Sequence, residues 1–508
     1  MKPKSRSQVK YGALISYILI IGNALFGLLV TPYVLRMLGS SPYGVYKTIG
    51  SFSNAIIILD FGIGGTLQRY ISKFRANLQD NDIGSFASMM VFEASILIVA
   101  IALLELGLFF LLDDLYSVTF SVSELLLAKN LYIVLSINVL LVIVENFLNG
   151  IITGYNNFIL GNGTKLLKLI IRILLIFVVL PISKTPMVLV SINLILTVLS
   201  IVIQLWYICR NLHIVLNFDN KFWDKGVFRE SITYTTLIFL TAIAAQVNGN
   251  LDNVIIGVFC GPKQVTVYSF ALVIFGMFEQ LSTAMSGVVL PTVSKIVAQE
   301  NWKARAQAYV VKIGRIQYML LGAAVVGFAV LGKEFISLWL GDDFGDVYSV
   351  VLILMIPSLF ELCVNVCLAV LRAQNKLGFR TTVLVLSTIL NFIISVAGIR
   401  YIGYFSAALG TAASFILGSL IIMNTYYYKT LGFDMLSVYR DILKGTWICQ
   451  ILAGMGIAFS SRFLNGTWLA FLANVLLFAG IYVASLLLFG ISDEERLMIK
   501  KVLRVKYV

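Results

Sequence analysis

The chain has 508 residues, of which 59% are hydrophobic and 12% charged, and a formal net charge of +13. Soluble domains carry roughly 25% charged residues, so a water-soluble globular fold is excluded. A β-barrel is excluded as well: barrel strands alternate in short segments, whereas the apolar runs here approach or exceed the roughly 18 to 20 residues that cross a bilayer as a helix.

Taken in chain order, the runs predict an all-α integral membrane protein of about fourteen transmembrane helices. They cover approximately 11–35, 43–66, 86–111, 128–150, 162–182, 186–208, 231–259, 266–290, 314–332, 347–371, 381–399, 404–424, 445–461 and 467–490. The basic start fits a signal n-region. The first apolar run is nevertheless too long, and no small-residue cleavage site follows it, so it reads as a membrane span. Asn23 and Gly27 soften that span. Gly39-Ser-Ser-Pro42-Tyr43-Gly44 then reads as a tight outer turn. Asp60-Phe61-Gly62-Ile63-Gly64-Gly65, near the inner end of the second span, reads as close helix packing with a kink, Asp60 pairing with Arg69 or Lys73.

The connections are short. The longest, at 209–230 and 425–444, run to about 20 residues, and no phosphate-cradling G-x-x-x-x-G-K-[ST] loop is present. The chain is therefore not expected to hydrolyse ATP. Five cysteines are scattered without metal-ligand or disulfide spacing. Cys363 and Cys367, four apart, read as small packing residues on one helix face, and His213, the only histidine, as an interfacial residue.

The positive charge follows membrane topology and does not imply nucleic acid. With the N-terminus inside, the inner segments hold 29 of the 38 Lys and Arg. The outer segments and span ends hold 8: Arg36, Lys47, Lys129, Lys184, Lys263, Lys333, Arg400 and Arg462. The remaining cation, Arg172, lies within a span. A bias of 29 to 8 places both termini in the cytoplasm.

A weak internal repeat joins the halves. Gly39, Val45, Tyr46, Leu59, Gly65, Ser72, Lys73 and Ala76 recur 222 positions later as Gly261, Val267, Tyr268, Leu281, Gly287, Ser294, Lys295 and Ala298. Duplication in so apolar a chain points to a transporter. The expected division is 1–225 for spans one to six, 226–430 for spans seven to twelve, and 431–508 for two peripheral spans and the tail. Six spans per half relate the halves by a pseudo-two-fold along the membrane normal.

Function should reside where charge enters the bilayer, because a charge facing lipid at mid-membrane costs about 2.5–3.5 kcal/mol. The spans contain Asp60, Glu93, Glu105, Glu145, Arg172, Asp252, Glu279 and Glu361. Lys165, Lys168 and Arg172 fall at i, i+3 and i+7, on one helix face, and climb about 10 Å from the cytoplasmic end of span five. Snorkelling is the competing reading for the two lysines. Arg172 is deeper and permanently charged. It suits either a phosphate, gripped by two parallel hydrogen bonds, or an interior salt bridge to Glu145. In span seven, Gln246, Asn248, Gly249, Asn250, Asp252 and Asn253 predict an unwound segment, with Asp252 and Asn250 as contacts for sugar. Asp252, Glu145, Asp60 and Glu361 are the candidates to bind a coupling Na⁺ or H⁺. No other cofactor and no metal is expected.

These residues resemble bacterial polysaccharide flippases, the Wzx-type branch of the multidrug/oligosaccharidyl-lipid/polysaccharide exporter superfamily. The resemblance is carried by "LGSSPYGVY" (Leu38 to Tyr46), "LDFGIGGTLQRY" (Leu59 to Tyr70) and "LDNVIIGVFCG" (Leu251 to Gly261) followed by Tyr268. It implies a V-shaped pair of six-helix lobes in a bacterial inner (plasma) membrane. It also implies alternating-access movement of an undecaprenyl-diphosphate-linked oligosaccharide to the outer leaflet for surface polysaccharide such as O-antigen or capsule, beside a polymerase and chain-length proteins. The family supplies no short catalytic motif, and no enzymatic activity is expected. Within the same fold, a cation-coupled small-molecule antiporter would need an acidic, aromatic cavity, and a peptidoglycan-precursor flippase more than one deep cation. A membrane polymerase or ligase would need a large outer loop, and no connection is long enough.

Overall fold

The computed structural model describes residues 3–57, 62–76, 80–212, 250–286, 289–491 and 495. Every regular element among them is helical. In lipid this follows from the need to satisfy each backbone N–H and C=O within its own segment. Eleven of these helices are long and apolar enough to cross a bilayer, twelve if Met435–Leu443 and Thr446–Ser460, bent by 43°, form one span. The two remaining expected spans are the second and the seventh, and both run into residues outside the described ones. The protein is thus a multi-pass helical membrane protein.

The chain forms two compact units, Met1–Ser269 and Phe270–Val508. The boundary expected at 225/226 lies outside the described residues.

In the first unit, α1 (Pro3–Leu25) continues through a π-type stretch, Phe26–Val30, into α2 (Thr31–Leu38). The helix widens at Gly27, where the sequence suggests a weak point. Gly39 alone separates α2 from α3 (Ser40–Ile57); its φ of 81° is a conformation that glycine adopts without a Cβ penalty. There follow α4 (Ile63–Ala76), α5 (Asp80–Tyr116), α6 (Val122–Gly154), α7 (Phe158–Ser183), α8 (Pro186–Tyr207), α9 (Asn250–Cys260) and α10 (Pro262–Ser286), the last entering the second unit. A capping box starts α6: Ser121 Oγ accepts the Glu124 N–H at 3.3 Å, and Glu124 Oε2 accepts the Ser121 N–H at 2.7 Å.

The central helix of this unit is α6, which packs against α3, α4, α5, α7 and α8, while α1 lies along α7. Its contact with α4 is made backbone to backbone. A Cβ on Gly64 would stand 2.7 Å from the Asn146 carbonyl oxygen, and one on Gly150 2.5 Å from that of Gly64. The close packing expected of the glycine stretch is therefore present at Gly64. Asp60 lies outside the described residues.

The repeat is visible in local geometry. Gly261, φ 87°, joins α9 to α10 as Gly39 joins α2 to α3. The two turns pack on each other: Thr266 Oγ1 donates to the Ser40 carbonyl at 2.6 Å, and Gly44 meets the Pro262 carbonyl where no side chain fits. Gly341, with φ 103° and ψ 166° against 81° and 165° at Gly39, ends a helix of the second unit in the same way.

The second unit contains α11 (Leu290–Val297), α12 (Trp302–Leu340), α13 (Asp346–Cys363), α14 (Val366–Ala373), α15 (Gly378–Ile402) and α16 (Phe405–Ser414). After α16 the helix runs on through π-type stretches around α17 (Asn424–Tyr426); α18 (Met435–Leu443), α19 (Thr446–Ser460) and α20 (Trp468–Ser485) complete it. Here α12 is central, packing against α13, α18, α19 and α20. Arg315 on α12 pins the end of that group. Its Nη1 donates to the carbonyls of Asp441 and Lys444, both at 2.9 Å, its Nη2 to that of Gly490 at 3.0 Å, and its Nε to Glu495 at 3.0 Å. The outer faces of α19 and α20 present Met455, Phe459, Leu469 and Leu476, as lipid contact requires.

Two sequence expectations are corrected. Cys363 and Cys367 do not share one helix: the chain breaks at Val364–Asn365, so Cys363 ends α13 and Cys367 belongs to α14, both buried. Of the unwound segment expected in the seventh span, Asn250, Asp252 and Asn253 are helical, and Gln246, Asn248 and Gly249 lie outside the described residues. Its polar side chains find side-chain partners, which removes the need for an open backbone. Asn253 Nδ2 donates to Ser51 Oγ at 2.9 Å and Ser269 Oγ donates to Asn253 Oδ1 at 3.3 Å.

Candidate functional site

The basic face of α7 begins just after its N-cap, where Asn157 Oδ1 accepts the Leu160 N–H at 3.4 Å. Lys165 is exposed, Lys168 and Arg172 half-buried. The three cations meet three different environments.

Lys168 Nζ lies 2.9 Å from Glu145 Oε2 on α6 and 2.9 Å from Thr197 Oγ1 on α8. Thr197 in turn donates to Asn138 Oδ1 at 2.8 Å. This network ties α6, α7 and α8 together, and Glu145 is the group that balances Lys168. The salt bridge anticipated between Glu145 and Arg172 is made by Lys168 instead, because Lys168 sits one turn nearer to Glu145 along α7.

Arg172 has a different neighbour. Its guanidinium carbon stands 4.6 Å from the centre of the Phe26 ring, at the start of the π-type stretch of the first span. Stacking on an aromatic face stabilises a guanidinium by about 0.5–2 kcal/mol without neutralising it. Its Nε is buried without a hydrogen-bond partner among the described residues. Close by are Tyr43 and Lys47 of α3, whose electrostatics feel the Arg172 charge. Lys47 Nζ lies 5.5 Å from the centre of the Tyr43 ring. Arg172 is thus stacked on Phe26 with an unused donor, and Lys47 and Tyr43 lie within range of its charge. Such a group is built to receive an anion.

Sequence reasoning missed Lys47, which topology alone assigns to an outer span end. The available signal is the spacing of Tyr43 and Lys47 at i, i+4 on one helix face. Nothing in the sequence brings that face to Arg172.

Asp252 is buried on α9 and accepts from the Tyr268 hydroxyl at 2.6 Å; Asn250 opens the helix, half-buried. In the second unit, Glu361 on α13 faces Arg380 on α15 at 4.0 Å, and its charge acts on Glu279 of α10. The candidates are thus gathered into a cationic group in the first unit, an Asp252–Tyr268 pair, and a separate acidic group in the second unit.

The model of a family described as polysaccharide biosynthesis protein matches residues 9–297. Two similar proteins come from Haloferax volcanii. A probable low-salt glycan biosynthesis flippase, Agl15, is 25% identical over 194 residues, covering 38% of this chain and 41% of the relative. A probable flippase, AglR, is 28% identical over 177 residues, covering 34% and 36%. The chain thus spans less than half the length of these relatives. Among solved structures, the lipid II flippase MurJ in an inward closed conformation superposes with a TM-score of 0.69 at 15% identity, over 94% of this chain and 97% of that one. An inward-facing multidrug resistance MATE transporter of the MOP superfamily reaches 0.64 at 15% identity, over 82% and 95%. These neighbours share the helical fold, and they and the Haloferax relatives are named as flippases and transporters, none as an enzyme. With a family model covering more than half of its length, the chain belongs to the polysaccharide biosynthesis protein family.

Proposed function

We propose that this protein is a flippase that carries an undecaprenyl-diphosphate-linked oligosaccharide from the cytoplasmic to the outer leaflet by alternating access, for surface polysaccharide assembly. The observation that carries the reading is Arg172, a half-buried guanidinium stacked on Phe26 with an unpartnered Nε. A diphosphate supplies the planar, bidentate acceptors such a group lacks. Lys165 and Lys168 lie toward the end that the charge bias places in the cytoplasm, where the substrate begins its passage. Both termini are then cytoplasmic and the membrane is the bacterial plasma membrane. Asp252 and Asn250 contact sugar, and Asp252, Glu145, Asp60 and Glu361 are candidates for coupling to Na⁺ or H⁺. A polymerase and chain-length proteins would act beside it. The names of the Haloferax relatives support the glycan part of this reading.

A second reading has one specific observation in its favour. A peptidoglycan-precursor flippase is expected to hold more than one deep cation, and Lys47 of α3 lies within range of the charge of Arg172 on α7. Its substrate also carries a lipid diphosphate, so the cationic group suits both; the glycan distinguishes them.

The test uses cells lacking the chromosomal copy. Arg172→Ala should abolish export of the glycan with folded protein still in the membrane, and Arg172→Lys should restore it partly, since a point charge cannot replace a planar fork. Normal export by Arg172→Ala defeats the diphosphate assignment. Growth support of cells lacking their peptidoglycan-precursor flippase selects the second reading over the first.

A further inference from the structure

A cavity of about 370 Å³ opens between α4, α6 and α7, apart from the Arg172 group and toward the end of α7 that carries Lys165. That is the small end of the roughly 300–1,000 Å³ range of ligand pockets. Its walls are unusual for a membrane protein. Gln68, Asn146, Asn149 and Asn162 line it, with Phe158 and Lys165; Asn162 Nδ2 is already engaged with the Gly12 carbonyl at 3.1 Å and Ser16 Oγ at 2.9 Å. None of its lining side chains is a carboxylate. Asn149 is 8% exposed, and its Oδ1 is buried without a hydrogen-bond partner among the described residues.

The same glycine stretch that brings α4 against α6 also leaves the cavity open. Gly64 has no room for a side chain, whereas a Cβ on Gly65 would meet nothing within 4 Å, and Gly65 faces the cavity. The two adjacent glycines thus do separate jobs: one sets the helix crossing, the other keeps a space empty.

We propose that this cavity binds a glycosyl phosphate, the first sugar of the lipid-linked substrate together with its phosphate, before that phosphate reaches Arg172. The chemistry matches part by part. Amides donate to and accept from ring hydroxyls, Phe158 covers an apolar sugar face, and Lys165 at the exposed edge meets the one charged end. A free anion would use the lysine alone, and a cation would find no carboxylate. The inference rests on the reading of the substrate as a lipid-linked glycan.

The experiment measures binding of N-acetylglucosamine 1-phosphate to the full chain in nanodiscs by saturation-transfer NMR and calorimetry. The sugar phosphate should bind more tightly than N-acetylglucosamine or inorganic phosphate. Gly65→Leu, which fills the cavity without touching the α4–α6 crossing, should remove binding. Lys165→Ala, an exposed position that leaves folding intact, should weaken it about tenfold, as loss of one charge-assisted hydrogen bond does. Undiminished binding by both Gly65→Leu and Lys165→Ala, equal binding of inorganic phosphate, or no binding by the unaltered chain overturns the proposal. Export separates the two readings. If Gly65→Leu exports normally while Arg172→Ala does not, the cavity proposal fails and the flippase reading stands. If sugar phosphate binds here but Arg172→Ala exports normally, the cavity stands and the diphosphate assignment fails.

Discussion

Lys168 Nζ lies 2.9 Å from Glu145 Oε2, and this pairing leaves the interior acid of α6 balanced by a lysine one turn away from Arg172. The basic face of α7 therefore divides between a structural cation and a cation stacked on an aromatic ring.

The division predicts distinct variants. Lys168→Ala leaves the buried Glu145 without its ammonium and should cost about 2 kcal/mol, below the 3–5 kcal/mol of a fully buried pair because the lysine keeps some solvent contact. Adding Glu145→Gln to Lys168→Ala should recover at least half of that loss. Thermal unfolding of the purified protein in detergent reads both. A Lys168→Ala variant that melts with the unaltered chain would show that the pair contributes nothing.

Asp252 and Tyr268 give a second prediction. Asn at 252 can still accept from the Tyr268 hydroxyl, so Asp252→Asn should fold normally. If the charge serves coupling or sugar contact, export should fall several-fold at unchanged protein level. Tyr268→Phe instead removes the donor from a buried acceptor and should cost roughly 1–3 kcal/mol of stability. Full export by Asp252→Asn would reduce this pair to a helix-packing hydrogen bond.

The neighbouring glycines of α4 provide an internal control. Gly64→Ala puts a methyl group 2.7 Å from the Asn146 carbonyl oxygen and should destabilise by about 1–3 kcal/mol, visible as lost membrane protein. Gly65→Ala meets nothing within 4 Å and should be neutral or slightly stabilising, since alanine favours helix. The same response at both positions would contradict the α4–α6 crossing described.

Arg315 serves three carbonyls and one carboxylate from α12. Arg315→Ala should cost about 1–2 kcal/mol, because several partly buried acceptors lose their donor together. Arg315→Lys should recover less than half, having no planar fork to reach all four. Limited proteolysis after residue 440 would report the loosening, and unchanged resistance in Arg315→Ala would count against the clamp.

What the sequence by itself determined is the part governed by solvent and by local geometry. Apolar length identified the spans, because lipid admits a backbone only as helix or closed barrel. The family resemblance was legible in short stretches such as Leu38 to Tyr46, and Gly39 and Gly261 announced turns that only glycine makes cheaply. The i, i+3, i+7 stripe placed Lys165, Lys168 and Arg172 on one face of α7. Tertiary structure alone decided which neighbour each residue meets. Glu145 chose Lys168 over Arg172 by a single helical turn, Arg172 found the Phe26 ring of the first span, far away in sequence, and the polar side chains of α9 found Ser51, Tyr268 and Ser269, keeping that segment helical from Asn250. Gly64 and Gly65 are alike in sequence, yet one touches a backbone and the other an empty cavity. Helix rotation and crossing depend on contacts summed over many residues, and these fix such partners where residue spacing along one helix cannot.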